Sequence, residues 1–268
     1  MIRLTGIFIY PVKGCRGLTL SNATVDSLGL VGDRRFVIVD PDGKFLSQRT
    51  LPRMALIETQ LTADHLVLSL PDQPSLSVPR AAAHAPHLSV QVWSNSGLVA
   101  EDCGDEAAKW LEDFLAQPVR LVRIGEAFHR PVKPAKAQPG DIVSFADAYP
   151  LLVISEATLA DLNARLVEPL PMNRFRPNLV VSGCEAYAED TWQKFRMGEV
   201  VFRTAGPCAR CVVTTTDQLT ADRGKEPLST LAQYRRDPEE PIKVNFGQNL
   251  IHETKSGTLS LGDELVLL

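Results

Sequence analysis

The sequence predicts an α+β fold dominated by strands: a β-barrel-like N-terminal region, then a second β-barrel with a few peripheral helices. Three observations carry this. Short apolar runs rich in Val, Ile, Phe and Thr recur along the whole chain, and such side chains suit half-buried pleated surfaces. Turn residues punctuate them, and helical spacing is confined to a few stretches.

In chain order, "LTGIFIY", "LTLSNATV" and "RFVIVD" read as strands. In "PDGKFLSQ" the proline presets φ and the glycine accepts positive φ, so "PDG" between apolar runs signals a hairpin turn. "MALIETQLTADHLVLSLP" repeats the pattern around a polar turn, and "LSVQVW" and "GLVAED" continue it. Many short strands with few helices indicate a small barrel or sandwich. "DEAAKWLEDFLAQP" is the first helix, with Ala107, Ala108, Leu111, Phe114 and Leu115 on one face and Pro118 as its stop.

Segment 126–140 is rich in proline and basic residues and lacks periodicity. It reads as a connecting loop or an active-site flap, next to a domain boundary that separates 1–120 from 121–268. Beyond it, "DIVSFADAYPLLVI" reads as a strand and "SEATLADLNARL" as a helix capped by Ser155, with Leu159, Leu162 and Leu166 in one stripe. Strands are expected at 178–182, 198–203, 211–216, 243–251 and 264–268, and a short helix at "PLSTLAQYR".

A chain of 268 residues buries a substantial core without staples. Five cysteines, an odd number, argue for a reducing compartment, and the short apolar N-terminus runs into Tyr-Pro instead of a cleavage site. A soluble, cytoplasmic protein with no membrane partner is expected. The formal net charge of −4 gives no global attraction to a nucleic-acid polymer. Basic residues nevertheless cluster locally, at Lys13 and Arg16, Arg34 and Arg35, Arg174 and Arg176, and Arg210. That pattern suits a small anion.

The chemistry-bearing motif is "GPCARCVVTTTD", residues 206–217. A structural zinc site needs four ligands, whereas Cys15, Cys103 and Cys184 are solitary and no histidine lies within ten residues of either paired cysteine. A thioredoxin-like dithiol needs a helix after the pair, and "VVTTT" favours a strand. Two packed cysteines at a turn is the plainest alternative. In the remaining reading one thiolate is a soft metal ligand at the start of a strand, with Arg210 favouring its ionised form and a cofactor supplying the other ligands. His65, His84, His87, His129 and His252 read as scattered surface residues, and Trp93 and Trp192 as core or interface aromatics.

Seven ordered motifs, "YPVKGCRG", "GDRRF", "ISEATLADLNARL", "RFRPNLVVSGCEAYAEDTW", "CARCVVTTTD", "KEPLSTLAQYRR" and "FGQN", together resemble the MOSC proteins that carry an N-terminal MOSC β-barrel. The nearest subgroup is the mitochondrial amidoxime reducing component and its bacterial relatives. The resemblance implies a molybdenum cofactor, a phosphate-terminated pterin dithiolene, whose metal takes one protein thiolate, here Cys211. It implies cofactor binding by Lys13, Gly14, Arg34, Arg176 and Asn178, and a catalytic part for Cys211 and Arg210, with no obligatory role for Cys208. Gly14 stands where relatives often have serine, and Ala209 where some have a hydroxyl residue.

The implied reaction is oxygen removal at molybdenum from small N-hydroxylated substrates such as amidoximes, hydroxylamines and N-hydroxylated bases. Electrons are expected from a separate donor protein of ferredoxin-like, flavin or cytochrome type, since the chain shows no dinucleotide loop and ends without an iron–sulfur extension; pyridoxal phosphate is not expected. Two rival readings stand beside this enzyme: a carrier of the molybdenum cofactor or of persulfide sulfur, and a pterin-independent thiol reductase.

Overall fold

Strand β1 (Ile2–Ile9) exposes Arg3 and Thr5 and buries Leu4, Ile7 and Ile9, the alternation of a sheet with one wet face. The computed structural model describes residues 1–133 and 135–268. The strands that follow in the first half are β2 (Leu18–Leu20), β3 (Asn22–Asp26), β4 (Gly29–Leu30), β5 (Phe36–Val39), β6 (Glu58–Leu61), β7 (His65–Leu70), β8 (Gln73–Pro79), β9 (His87–Val92), β10 (Asn95–Asp102) and β11 (Arg120–Arg123). The second half adds β12 (Leu151–Ser155), β13 (Leu179–Ser182), β14 (Lys194–Met197), β15 (Val200–Ala209), β16 (Asn245–His252), β17 (Thr258–Ser260) and β18 (Glu264–Leu267). Helices α1 (Asp105–Leu115), α2 (Glu156–Asn163) and α3 (Leu228–Tyr234) lie between them.

Seven strands close a barrel in the order β13, β12, β16, β15, β14, β18, β1, with β1 pairing back onto β13 and β2 appended to β1. Closure removes the exposed edges of an open sheet. Its interior holds Leu4, Ile7, Val153, Leu179, Phe195 and Phe202, all at most 1% exposed. Each such side chain contributes about 1.5–3 kcal/mol by leaving water. The barrel draws on both regions expected as separate domains, because β1 is one of its staves. The rest of the first half forms the sheets β5-β11-β10-β9 and β6-β7-β8, and α1 packs Leu111 and Phe114 onto the core that includes Leu66 and Leu121.

Strands β12 and β13 run parallel, joined through α2. Ser155 caps α2 as expected, its hydroxyl accepting from Thr158 N at 3.0 Å, and Leu162 is its buried anchor. α1 ends at Ala116 in the left-handed region, two residues before Pro118.

Three expected strands differ. Residues 141–150 are irregular, because the buried Arg130 guanidinium takes the carbonyls of Ser144, Ala146 and Asp147 that a ladder would use and Pro150 has no N–H to offer. The return arm of "PDG" reduces to two isolated bridges, Phe45 to Val39 and Lys44 to Gln91, although Gly43 turns at φ +77° as read. The third is 211–216: β15 precedes the cysteine turn, and residues 212–215 form a 3-10 turn. There the Thr214 and Thr215 hydroxyls donate back to the Cys211 and Val212 carbonyls at 2.9 and 2.8 Å, which diverts β-branched residues from a strand. Segment 126–140 is a loop as read, its Pro134 lying outside the described residues. No described helix is long and apolar enough to cross a membrane.

Candidate active site

The cysteine turn opens onto a cleft with a cavity volume of about 150 Å³, continuing into an open mouth that brings the empty space to about 930 Å³. Lys13, Gly14, Arg34, Arg176, Asn178, Arg210 and Cys211, widely separated in sequence, all line it. Arg16, Arg35 and Arg174 do not: they pair with Glu58, Asp26 and Asp217. Arg174 also donates to the Thr215 carbonyl at 3.0 Å, bracing the turn after Cys211.

Tyr10 organises two of the cations. The guanidinium of Arg34 lies 4.3 Å from its ring centroid and that of Arg176 lies 4.1 Å from it, so cation–π attraction offsets part of their burial. The Tyr10 hydroxyl donates to the Pro177 carbonyl at 2.9 Å, and burial, opposed by Arg176 and Arg34, pushes its pKa up to about 12. Arg34 pairs with Asp33 at 2.6 Å. Among the described residues Arg176 makes one side-chain hydrogen bond, 3.3 Å to Gln218 Oε1, and burial lowers its pKa to about 10. Both arginines sit at positive φ, +48° and +55°, backbone strain of the kind found at functional sites.

Asn178 is 1% exposed, and its amide is occupied. Its Oδ1 accepts from Arg34 Nη1 at 3.0 Å and from Leu152 N at 3.3 Å, while Nδ2 donates to the Phe8 carbonyl at 3.1 Å. Its place is therefore to position Arg34 and tie β1 to β12. Gly14 turns at φ +88°, and a Cβ there would meet Met54 Cε at 2.7 Å, which explains glycine without serving any hydroxyl. Lys13 Nζ donates to Asp147 Oδ1 at 2.5 Å, and Trp93 Nε1 donates to the same oxygen at 3.1 Å. Burial draws the Lys13 pKa down, opposed by Asp147. The Asp147 carboxylate faces cleft solvent; the Lys13 and Arg34 charges outweigh its desolvation and hold it below the usual carboxylate range.

The two cysteines differ. Cys208 packs against the cluster of Phe175, Leu231 and Phe246, and burial, opposed by Arg210, raises its thiol pKa. Cys211 is half-buried on the cleft wall in extended backbone, φ −130° and ψ 179°. Arg210 donates from Nη1 to Cys208 Sγ at 2.9 Å and from Nη2 to the Phe175 carbonyl at 2.5 Å. The charge expected beside Cys211 is thus engaged with Cys208, because residues two apart in extended chain point to the same side. Arg210 Nε is buried without a partner.

Residues that the sequence reading passed over complete the cleft. Trp93, read as core or interface, stands in its wall. Trp192 is in the barrel core as read. Gln48 and Gln218 form a reciprocal amide pair, 2.9 and 3.1 Å, that ties the Gly14 carbonyl to the segment after Cys211. Nothing local marks glutamine for this, but Arg49, an isolated base in "SQRT", carried the same signal as the clusters that were noticed. Contrary to the surface reading, His252 is fully buried, its Nε2 2.8 Å from the Asp26 carbonyl.

A closed barrel bearing a cation-rich cleft with Cys208 and Cys211 in its wall defines an anion-binding site equipped with soft donors. The chain matches a MOSC N-terminal beta barrel domain over residues 1–118 and a MOSC domain over residues 140–266. It is 37% identical to mitochondrial amidoxime-reducing component 1 of Homo sapiens over 279 residues, 98% of this chain and 82% of that protein. With mitochondrial amidoxime reducing component 2 of Homo sapiens it shares 35% identity over 273 residues, 96% and 81% of the two chains. The YuaD protein from Bacillus subtilis, a solved structure, aligns with a TM-score of 0.43 and 11% identity over 99% of this chain and 94% of that one. The chain belongs to the MOSC-domain family, in the group that contains the amidoxime-reducing components.

Proposed function

We propose that the protein is a molybdenum-cofactor-dependent oxidoreductase that reduces N-hydroxylated compounds, such as amidoximes and hydroxylamines, to amidines or amines. The identity to the amidoxime-reducing components supports the reaction class. The observation that carries the reading is the convergence of Cys211 with Lys13, Arg34 and Arg176 on one cleft.

The residues present fit the cofactor. Cations outnumber carboxylates around the cleft, the buried Arg210 Nε has no partner, and a thiol stands in the wall. Cys211 Sγ is the candidate metal ligand, a soft donor for a soft-ligand site. Lys13, Arg34 and Arg176 would neutralise the phosphate and pterin edge, with Asn178 and Tyr10 holding the guanidinium planes before anything binds. Gly14 leaves the backbone open to close approach. When bound, the cofactor supplies the two-electron chemistry that breaks the N–O bond. Per turnover, two electrons and two protons enter and one water leaves with the amine or amidine; the electrons come from a separate donor protein. Five free cysteines support a reducing compartment such as the cytoplasm.

Elemental analysis of protein made with ample molybdate is expected to find molybdenum and phosphorus in equal amounts, and that protein is expected to reduce benzamidoxime with a chemical donor. Metal-free protein carrying a persulfide on Cys211 would end this reading in favour of sulfur transport.

A further inference from the structure

The cleft's cations are engaged, with one exception. Lys13 has Asp147, Arg34 has Asp33 and Asn178, Arg176 has Gln218, and Arg210 has Cys208 and the Phe175 carbonyl. Arg49 is exposed at the same cleft, and among the described residues no carboxylate pairs with it and no side-chain hydrogen bond occupies it. Its guanidinium carbon lies 4.5 Å from the Trp93 ring centroid, a stacking that leaves the N–H fork free at its edge.

The arrangement is held rather than incidental. The Arg49 backbone is fixed at both ends: its N–H donates to Ser47 Oγ at 3.2 Å and its carbonyl accepts from Arg223 at 2.8 Å. Trp93 stands at φ +56°, a conformation unfavourable for an aromatic residue, and its ring is set by the bond to Asp147 and an edge contact with Phe45 at 4.7 Å. Strained backbone kept by its surroundings marks functional sites.

We propose that Arg49, positioned by Trp93, selects the substrate by binding an anionic substituent. Preferred substrates are then N-hydroxylated compounds that carry a carboxylate or phosphate away from the N–O group. This rests on the reaction proposed above. Lys13 is buried and Arg49 exposed on the same cleft, with Trp93 near both, so Arg49 is the cation open to a solvent-side anionic group.

The test compares benzamidoxime with 4-carboxybenzamidoxime, and N-hydroxycytosine with its ribonucleoside monophosphate, using the metal-loaded protein and a small chemical reductant. In Arg49→Met the anionic-to-neutral ratio of kcat/KM is expected to fall about tenfold or more through KM, with partial recovery in Arg49→Lys. Trp93→Leu is expected to lower the ratio less, again through KM. The pair whose ratio falls identifies carboxylate or phosphate. Calorimetric binding of 4-carboxybenzamidoxime should weaken by the same factor in Arg49→Met. An unchanged ratio overturns the proposal, and so does loss of molybdenum or phosphorus from Arg49→Met, which would assign the residue to the cofactor. Should the wild type carry metal and reduce no compound, the reaction reading fails, and the calorimetric difference still decides Arg49.

Discussion

Two clusters of charge are built on the same barrel, and they balance differently. Around Asp141, which is 4% exposed, Arg203 and Lys255 converge, while Glu253 receives Lys194 and the far edge of Arg203. Three cations there meet two carboxylates, and the cluster clamps the loop after β11 onto β15 and the end of β16. In the cleft, Lys13, Arg34, Arg49, Arg176 and Arg210 face, among the described residues, two carboxylates, Asp33 and Asp147. The first cluster is complete within the chain. The second is short of negative charge, and burial depresses the pKa of both Lys13 and Arg176. Positive charge in excess of carboxylate, gathered in one cleft, points to an anion from outside the chain.

The sharpest way to break the comparison is at the cysteine. Cys211→Ala is expected to lower benzamidoxime reduction by about three orders of magnitude or more, with loss of molybdenum, while Cys208→Ala stays within about tenfold. Equal losses in the two variants would mean a dithiol mechanism and a cleft wrongly assigned. The balanced cluster is next: Arg203→Met leaves the Asp141 carboxylate to Lys255 and should cost about 1–3 kcal/mol in urea unfolding. A cost near zero would show that this clamp is no more self-sufficient than the cleft.

His252 gives a pH test of the same cluster. Burial with Lys255 nearby, opposed by the Asp26 carbonyl and Asp141, lowers its pKa to about 4. The unfolded chain takes up this proton near pH 6.5, whereas the folded chain does so only near 4, so stability falls as pH drops between those values. The loss amounts to up to about 3 kcal/mol. His252→Gln should flatten that window in urea midpoints measured from pH 7 to 4. The smallest effect belongs to the cleft: Arg176→Met is expected to leave the cofactor-free protein unchanged or to stabilise it by about 1–2 kcal/mol, while molybdenum content drops. Destabilisation as large as in Arg203→Met would erase the contrast between the clusters.

Much of this was legible in the residues. Alternation placed most strands, and the stripes of α1 and α2 were read with their buried faces. The seven anticipated site residues all reached one cleft, because they lie in motifs that belong together. Reading failed where a remote group overrode local preference. Residues 141–150 have strand composition, but Arg130 takes their carbonyls. Thr214 and Thr215 are β-branched, yet their hydroxyls bond backwards. Arg210 was paired with its neighbour Cys211, whereas extended backbone turns it toward Cys208.

The sequence by itself determined the strand-rich class, the family and the residue types that meet the anion, because period, propensity and motif order are local properties of the chain. Only the tertiary structure decided that Cys208 packs on one side against an apolar cluster while sharing the cleft wall with Cys211, that two guanidinium groups meet the Tyr10 ring, and that among the described residues Arg49 has no side-chain hydrogen bond. Those outcomes depend on barrel closure, which brings β1 beside β13 and supplies or withholds partners from distant segments, and no local pattern encodes such pairing.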